Sequence, residues 1–267
     1  MGLRQVLATA LVLLTGPACS VTHGDPSRQV NVRAPTSFPS EGVADEALAS
    51  GSPYAVTWSH QLLQFLSPAG ENASDALEAS LDRTWDDAFE LTNGSQNAEA
   101  HTCRQLLAVD ETYEPVRSWE FAVFQDRRAR CRAVTLVARA KPSRASALRQ
   151  FELDGEAPQR LPAALALVVS PDDEQRVDQA TTEGKPWNAV EDVHLVSRVS
   201  PEEARYGDGI SEQDIVVLAR GDFDDDGSED LLLLSHGWLR EGSYSVTRLF
   251  LVSRELSAKV ARLLPVE

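Results

Sequence analysis

Residues 222–230 read DFDDDGSED and place six carboxylates within nine positions. Numbered from Asp222, the carboxylates at positions 1, 3, 5 and 9 are Asp222, Asp224, Asp226 and Asp230. Gly227 stands at position 6, where a chain wrapped around an ion must turn sharply, and Ser228 at position 7, where a backbone carbonyl turns inward. Alternate residues of a tight loop converge on one centre, so these oxygens can surround a hard cation, while Asp225 and Glu229 are expected to point outward. An all-oxygen, carboxylate-rich donor set selects Ca²⁺ over Zn²⁺ or Cu²⁺. Mg²⁺ suits it less, because that ion retains water and demands a stricter octahedron. Two carboxylates about 4 Å apart repel by about 4 kcal/mol at an effective dielectric near 20. Such crowding is readily tolerated around a divalent ion. The other reading is an acidic hairpin turn that holds no metal.

An EF-hand would carry Glu at position 12, where this chain has Leu233, and would be flanked by helices rather than by strand-like runs. Asp222, Asp224, Asp226, Gly227, Asp230 and Leu231 instead match D-x-D-x-D-G-x-x-D-L, and residues 213–236 resemble the calcium loop of FG-GAP and VCBS-type repeats. That resemblance implies a strand–loop–strand unit holding Ca²⁺. Propellers built from such repeats need several copies. The related stretch YGDGISEQD puts Ala204 and Tyr206 where the first two acids would fall. One calcium-type loop within another fold is therefore expected, not a propeller.

No other stretch carries comparable chemistry. The G-x-S-x-G, H-E-x-x-H and glycine-rich phosphate-loop patterns do not occur. His194 and His236 fall in strand-like segments near the acidic loop, either as ordinary sheet residues or as acid/base partners of an acidic cleft. Arg220, Gly221 and Asp222 spell an adhesion tripeptide, but the metal reading already claims Asp222. Arg128, Arg130 and Arg132 would share one face of a strand, either as an anion-binding patch or as a solvated basic face. The formal net charge of −16 opposes sequence-independent binding to nucleic acid and adsorption on anionic lipid.

At the N-terminus a short basic segment, MGLR, precedes an apolar run, QVLATALVLL, too short to span a bilayer. Small residues then lead to Cys19. Residues 1–18 resemble a bacterial lipoprotein signal, which implies cleavage before Cys19 and lipidation of its thiol. Gly16 stands where that family usually has Leu, and Gly16 with Ala18 also fits ordinary secretory cleavage at the same bond. With Ser20 following, the resemblance implies an outer-membrane or periplasm-facing destination. Setting Cys19 aside leaves Cys103 and Cys131, which an oxidising compartment would join. Closing residues 103–131 would contribute about 3–4 kcal/mol on the chain-entropy model. Two buried thiols are the alternative.

The elements that position these residues follow from periodicity. Residues 19–52 are rich in Ser, Pro and Gly and read as a flexible tether. The body, 53–267, is expected as one α+β unit, with a boundary near 185 as the alternative division. Trp58, Leu62, Phe65 and Leu66 predict a first helix. Leu77, Leu81, Trp85 and Ala88, with Phe89 beside them and Ser74 as N-cap, predict a second. A short third helix would carry Cys103. WEFAVFQ and RCRAVTLVARA read as strands of a β-hairpin around DRRAR. SRASALRQF reads as a short helix, and PDDEQRVDQATTEG as another, entered at Pro171 and stopped at Gly184. VEDVHLVSRV, DIVVLAR, DLLLLSH and SVTRLFLVS predict a C-terminal antiparallel meander carrying the acidic loop. The unalternating leucines predict a strand buried on both faces.

Together these readings describe a non-catalytic cell-envelope lipoprotein with one structural Ca²⁺ loop. It would meet the membrane through a lipid anchor only and act on an envelope protein or polymer. The alternative is an exported hydrolase with an acidic, His-containing cleft. The anchor has a direct test. Native protein should partition into the detergent phase, and Cys19→Ser should move it to the aqueous phase; unchanged partitioning would remove the anchor.

Overall fold

The computed structural model describes residues 54–63, 73–255 and 257–264. The signal segment, the tether and Cys19 lie outside the described residues, as do Phe65 and Leu66.

In chain order the elements begin with strand β1 (Thr57–Trp58) and helices α1 (His60–Leu63) and α2 (Ala73–Ser80). Next come strands β2 (Phe89–Thr92) and β3 (Asn97–Ala100), helix α3 (Cys103–Ala108) and strand β4 (Glu114–Pro115). The long helix α4 (Phe121–Arg139) follows, then the short helices α5 (Ala157–Arg160) and α6 (Pro171–Thr182). The meander completes the chain: β5 (His194–Ser200), β6 (Glu203–Gly207), β7 (Ser211–Gly221), β8 (Asp230–Leu239), β9 (Ser245–Ser253) and β10 (Arg262–Leu264).

The α+β expectation holds. A seven-stranded antiparallel sheet runs β10-β9-β8-β7-β6-β5, with β1 beside the far half of β7. A smaller sheet runs β3-β2-β4, and neither sheet closes into a barrel or a propeller. The four strands expected in the last third form, and the leucine run behaves as read. Leu232 and Leu234 enter one core with Leu77, Phe89, Leu106, Phe124 and Val134, beneath α2, α3 and α4. Leu231 and Leu233 enter a second core on the opposite face, with Leu153, Leu161, Leu165, Trp187 and Tyr206. A bulge at Leu218 interrupts the β7–β8 register between Val217 and Ala219, so Leu218 and Ala219 both join the first core.

Several N-terminal elements differ from the sequence reading. The two runs expected to form a hairpin are one continuous helix, α4, whose buried Phe124, Cys131, Val134 and Val137 recur at helical spacing. The β-branched and aromatic residues favoured strands locally. The intervening DRRAR, however, contains no Gly, Pro or Asn to reverse the chain, and Ala and Arg are strong helix formers. Trp58 lies on β1 rather than on a helix, pairing with Ala219. Helix α2 ends at Ser80 with Ser74 inside it, so Trp85 is off the helix and Phe89 opens β2. Strands β2 and β3 did carry a sequence signal, the Asn93-Gly94 pair. Gly94 has φ +83°, and Asn93 Oδ1 accepts from Ser95 N (3.1 Å) and Gln96 N (2.8 Å). The helix expected over 143–151 does not form: Ser143 and Ala145 bridge to Tyr54 and Ser228, and the chain then turns over 148–151. Long-range pairing outweighs local propensity there. Helix α6 starts and stops as expected. Ser170 Oγ accepts from Asp173 N at 3.2 Å, and Gly184 takes φ +65° beyond its end.

Cys103 opens α3 and Cys131 sits mid-way along α4; both are fully buried, and they are joined as a disulfide with Cα atoms 5.3 Å apart. The expected pairing holds, although Cys131 lies on a helix and not on a strand. A doubly substituted Cys103→Ala/Cys131→Ala protein should be less stable in urea by about 3 kcal/mol. Coincident unfolding curves for the variant and the oxidised parent would show that the bond adds nothing.

Candidate metal centre

The acidic loop joins the ends of β7 and β8, with Gly221 paired to Asp230 at its base. The carboxylates shape its backbone. Asp222 Oδ2 accepts from Gly227 N (2.9 Å), Asp224 Oδ1 from Asp226 N (3.2 Å) and Asp226 Oδ1 from Ser228 N (2.6 Å). Asp230 Oδ2 reaches back to Phe223 N at 3.0 Å. Two residues take positive φ, Asp225 at 65° and Gly227 at 85°. An added Cβ on Gly227 would stand 3.2 Å from the Arg144 guanidinium.

Three of the expected ligands converge. One carboxylate oxygen from each of Asp222, Asp224 and Asp226 lies within 4.8 Å of the other two, so the group can hold a metal ion. Asp222 is 5% exposed and Asp230 is fully buried. Asp222 Oδ1 and Asp230 Oδ1 are both buried without a hydrogen-bond partner. An orphaned acceptor of this kind costs about 1–3 kcal/mol, and more when charged. Burial pushes the Asp230 carboxyl up to about 6; Asp224 and Asp226 add repulsion, and bonds from Ser253 and Phe223 oppose the rise. The donor set is all oxygen, which suits a hard cation.

The loop is also tied from outside by a segment nearly eighty residues away in sequence. Lys141 exchanges two backbone hydrogen bonds with Asp222, each 2.9 Å, and Arg144 N donates to the Gly227 carbonyl at 2.7 Å. Glu229 N donates to the Ala145 carbonyl at 2.8 Å. Basic side chains stand around the rim. Lys141 Nζ lies 2.8 Å from Asp225, which points outward as expected. Arg262 on β10 approaches Asp224 at 3.8 Å and Asp226 at 3.7 Å. The sequence carried no signal for these partners, because nothing local marks which distant strand or segment will cross the loop.

Glu229 corrects one expectation. It does not point outward but is 6% exposed, accepting from Ser146 Oγ at 2.7 Å with Arg220 at 3.9 Å. Arg220 is itself turned inward, donating to the Leu148 and Phe151 carbonyls at 2.9 Å each. The adhesion tripeptide therefore displays neither of its charged side chains, since Asp222 is buried as well.

The remaining candidates are scattered. His194 is exposed on β5. His236 Nδ1 lies 3.0 Å from Thr247 Oγ1, and its ring lies against Trp238. Asp214, directly across the sheet from His236, is held by Arg205 through bonds of 2.7 and 3.0 Å. Arg128 and Arg132 lie one turn apart on α4, while Arg130 points elsewhere and binds Asp126 and the Gln61 carbonyl.

The loop geometry predicts a penalty at Gly227. Gly227→Ala should lower stability by about 1–2 kcal/mol, because an L side chain at positive φ is strained and its Cβ presses on Arg144. Urea unfolding measures this, and an unchanged midpoint would show that the loop relaxes without cost.

No family model, curated protein or solved structure matches this chain.

Proposed function

We propose that this chain is a non-catalytic cell-envelope lipoprotein whose folded body is clamped by one Ca²⁺ in the 222–230 loop, and that it acts by interaction with an envelope protein or polymer. The observation that carries the metal reading is the pair of buried, unpartnered oxygens, Asp222 Oδ1 and Asp230 Oδ1. They belong to the same short loop as the Asp222, Asp224 and Asp226 cluster. The residues that would hold the ion are Asp222, Asp224, Asp226 and Asp230, with the Ser228 carbonyl. When bound, Ca²⁺ supplies the positive charge that these carboxylates otherwise lack at close range.

The role assigned to the loop is structural. Asp222 and Asp230 end two strands buried on both faces, so fixing the loop fixes the β7–β8 register. Arg262 and Lys141 partly offset the acidic charge from the rim, but they approach Asp224, Asp226 and Asp225 and not the buried oxygens of Asp222 and Asp230. Support for a non-catalytic reading comes from the engagement of His236 by Thr247 and of Asp214 by Arg205. An exported location is supported by the buried Cys103–Cys131 disulfide. Among the described residues no helix is long and apolar enough to cross a membrane, which fits attachment through Cys19.

Thermal unfolding with Ca²⁺ and with a chelator tests the clamp. At a hundredfold excess over the dissociation constant the wild type should gain about 2.7 kcal/mol, and Asp224→Ala should respond little. Arg262→Gln, which removes a competing cation from the rim, should bind Ca²⁺ more tightly by calorimetry. If wild type melts identically with ion and with chelator, and calorimetry detects no heat of binding, the loop is an acidic turn only.

A further inference from the structure

A cleft of about 430 Å³ opens between α4, the segment before β4, and β9, with no residue of the acidic loop in its lining. Its volume lies within the usual range for small-molecule sites. Arg128 and Arg132 stand one helical turn apart along its wall, above Phe121, Phe124 and Leu249. Gln125 and Thr247 complete the polar lining, and Gln125 Oε1 already accepts from Thr247 N at 3.3 Å, which leaves its amide nitrogen as a donor.

The two guanidinium groups differ in their partners. Arg132 is paired with Glu111 at the exposed rim. Arg128 makes no ion pair among the described residues; its Nη2 donates to the Val109 carbonyl at 3.3 Å, and its guanidinium lies 5.8 Å from the centre of the Phe124 ring. Its Nε is buried without a hydrogen-bond partner. Burial, followed by repulsion from Arg132, holds Arg128 below the ordinary guanidinium range, partly offset by Glu111 and Asp110. Arg128 is thus a partly buried cation beside a second cation, with no carboxylate bonded to it among the described residues. Arg248 also borders the cleft, but its guanidinium is committed to the Leu165 and Ala166 carbonyls.

We infer that this cleft binds a small organic monoanion, a carboxylate with an apolar body, whose charged end sits between Arg128 and Arg132 and whose body lies on Phe121 and Leu249. Guanidinium groups match the planar carboxylate and can bind it through paired hydrogen bonds. The aromatic floor favours a ligand with apolar surface over a bare inorganic ion. Glu111 and Glu114 border the cleft and repel a polyanion, so one negative charge is preferred to several.

Benzoate serves as the probe, with inorganic phosphate and benzylammonium as comparisons, each titrated into isotopically labelled protein and followed by NMR. Benzoate should give saturable shifts at the amides of Gln125, Arg128 and Thr247. Its affinity should fall at least tenfold in Arg128→Gln, and benzylammonium should give no saturable change. Should Arg128→Gln unfold, Arg132→Gln, at a more exposed position, gives the same comparison. Absence of saturable shifts with benzoate would overturn the site. Equal affinity in the folded variants would overturn the arginine assignment, and phosphate binding as tightly as benzoate would overturn the apolar-body assignment. None of these readings depends on calcium, so the site stands or falls apart from the metal loop.

Discussion

Leu231, Leu232, Leu233 and Leu234 occupy successive positions of β8, and successive side chains of a strand leave on opposite faces. A strand that is apolar on both faces can exist only if both are covered. That constraint organises the described structure. One face is closed by α2, α3 and α4, with the Cys103–Cys131 bond fixing α3 to α4 inside that core. The other is closed by α5, α6 and the irregular chain around Leu153, Leu165 and Trp187. The irregular chain brings its own unpaired carbonyls, and buried arginines meet them. Arg220 serves Leu148 and Phe151, and Arg248 serves Leu165 and Ala166.

The acidic loop inherits its setting from the same strands. Because β7 and β8 are interior, the carboxylates nearest their ends, Asp222 and Asp230, are buried with them. An acidic turn on an edge hairpin would place every oxygen in water, where repulsion is weak. Here two oxygens are withdrawn from solvent and left without donors, which is the condition under which a bound cation has most to offer. The clasp by residues 141–145 fixes the loop through backbone hydrogen bonds, so its shape does not depend on its own turns alone.

Arginine plays two different parts in this acidic chain. Arg220 and Arg248 are structural, each spent on several carbonyls in the interior. Arg128 borders a cleft, and its contacts are one backbone carbonyl at 3.3 Å and the face of the Phe124 ring. The difference lies in which face of its element each residue occupies. On a strand, Arg128, Arg130 and Arg132 would have pointed the same way. On a helix, the first and last stack one turn apart and the middle one turns to Asp126.

The sequence by itself determined what depends on neighbours a few residues away. The convergence of alternate aspartates, the turn at Gly227, the capped helix from Pro171 and the doubly buried leucine run were all legible, because strand period, helix period and turn chemistry are local. The two cysteines were legible by count, although the helix that carries Cys131 was not. Tertiary structure decided the rest. Residues 121–139 carry strand-forming Phe, Val and Thr, but burying Phe124, Cys131, Val134 and Val137 together on the sheet selects a helix. Residues 143–151 have helical composition, but backbone pairing of Ser143, Arg144 and Ala145 with Tyr54 and the acidic loop keeps them from forming a helix. Glu229 looked outward-facing by alternation, yet Ser146 and Arg220 draw it inside. In each case a deciding partner lies tens of residues distant, as Ser146 does from Glu229, and no local pattern encodes which distant surface a segment will meet.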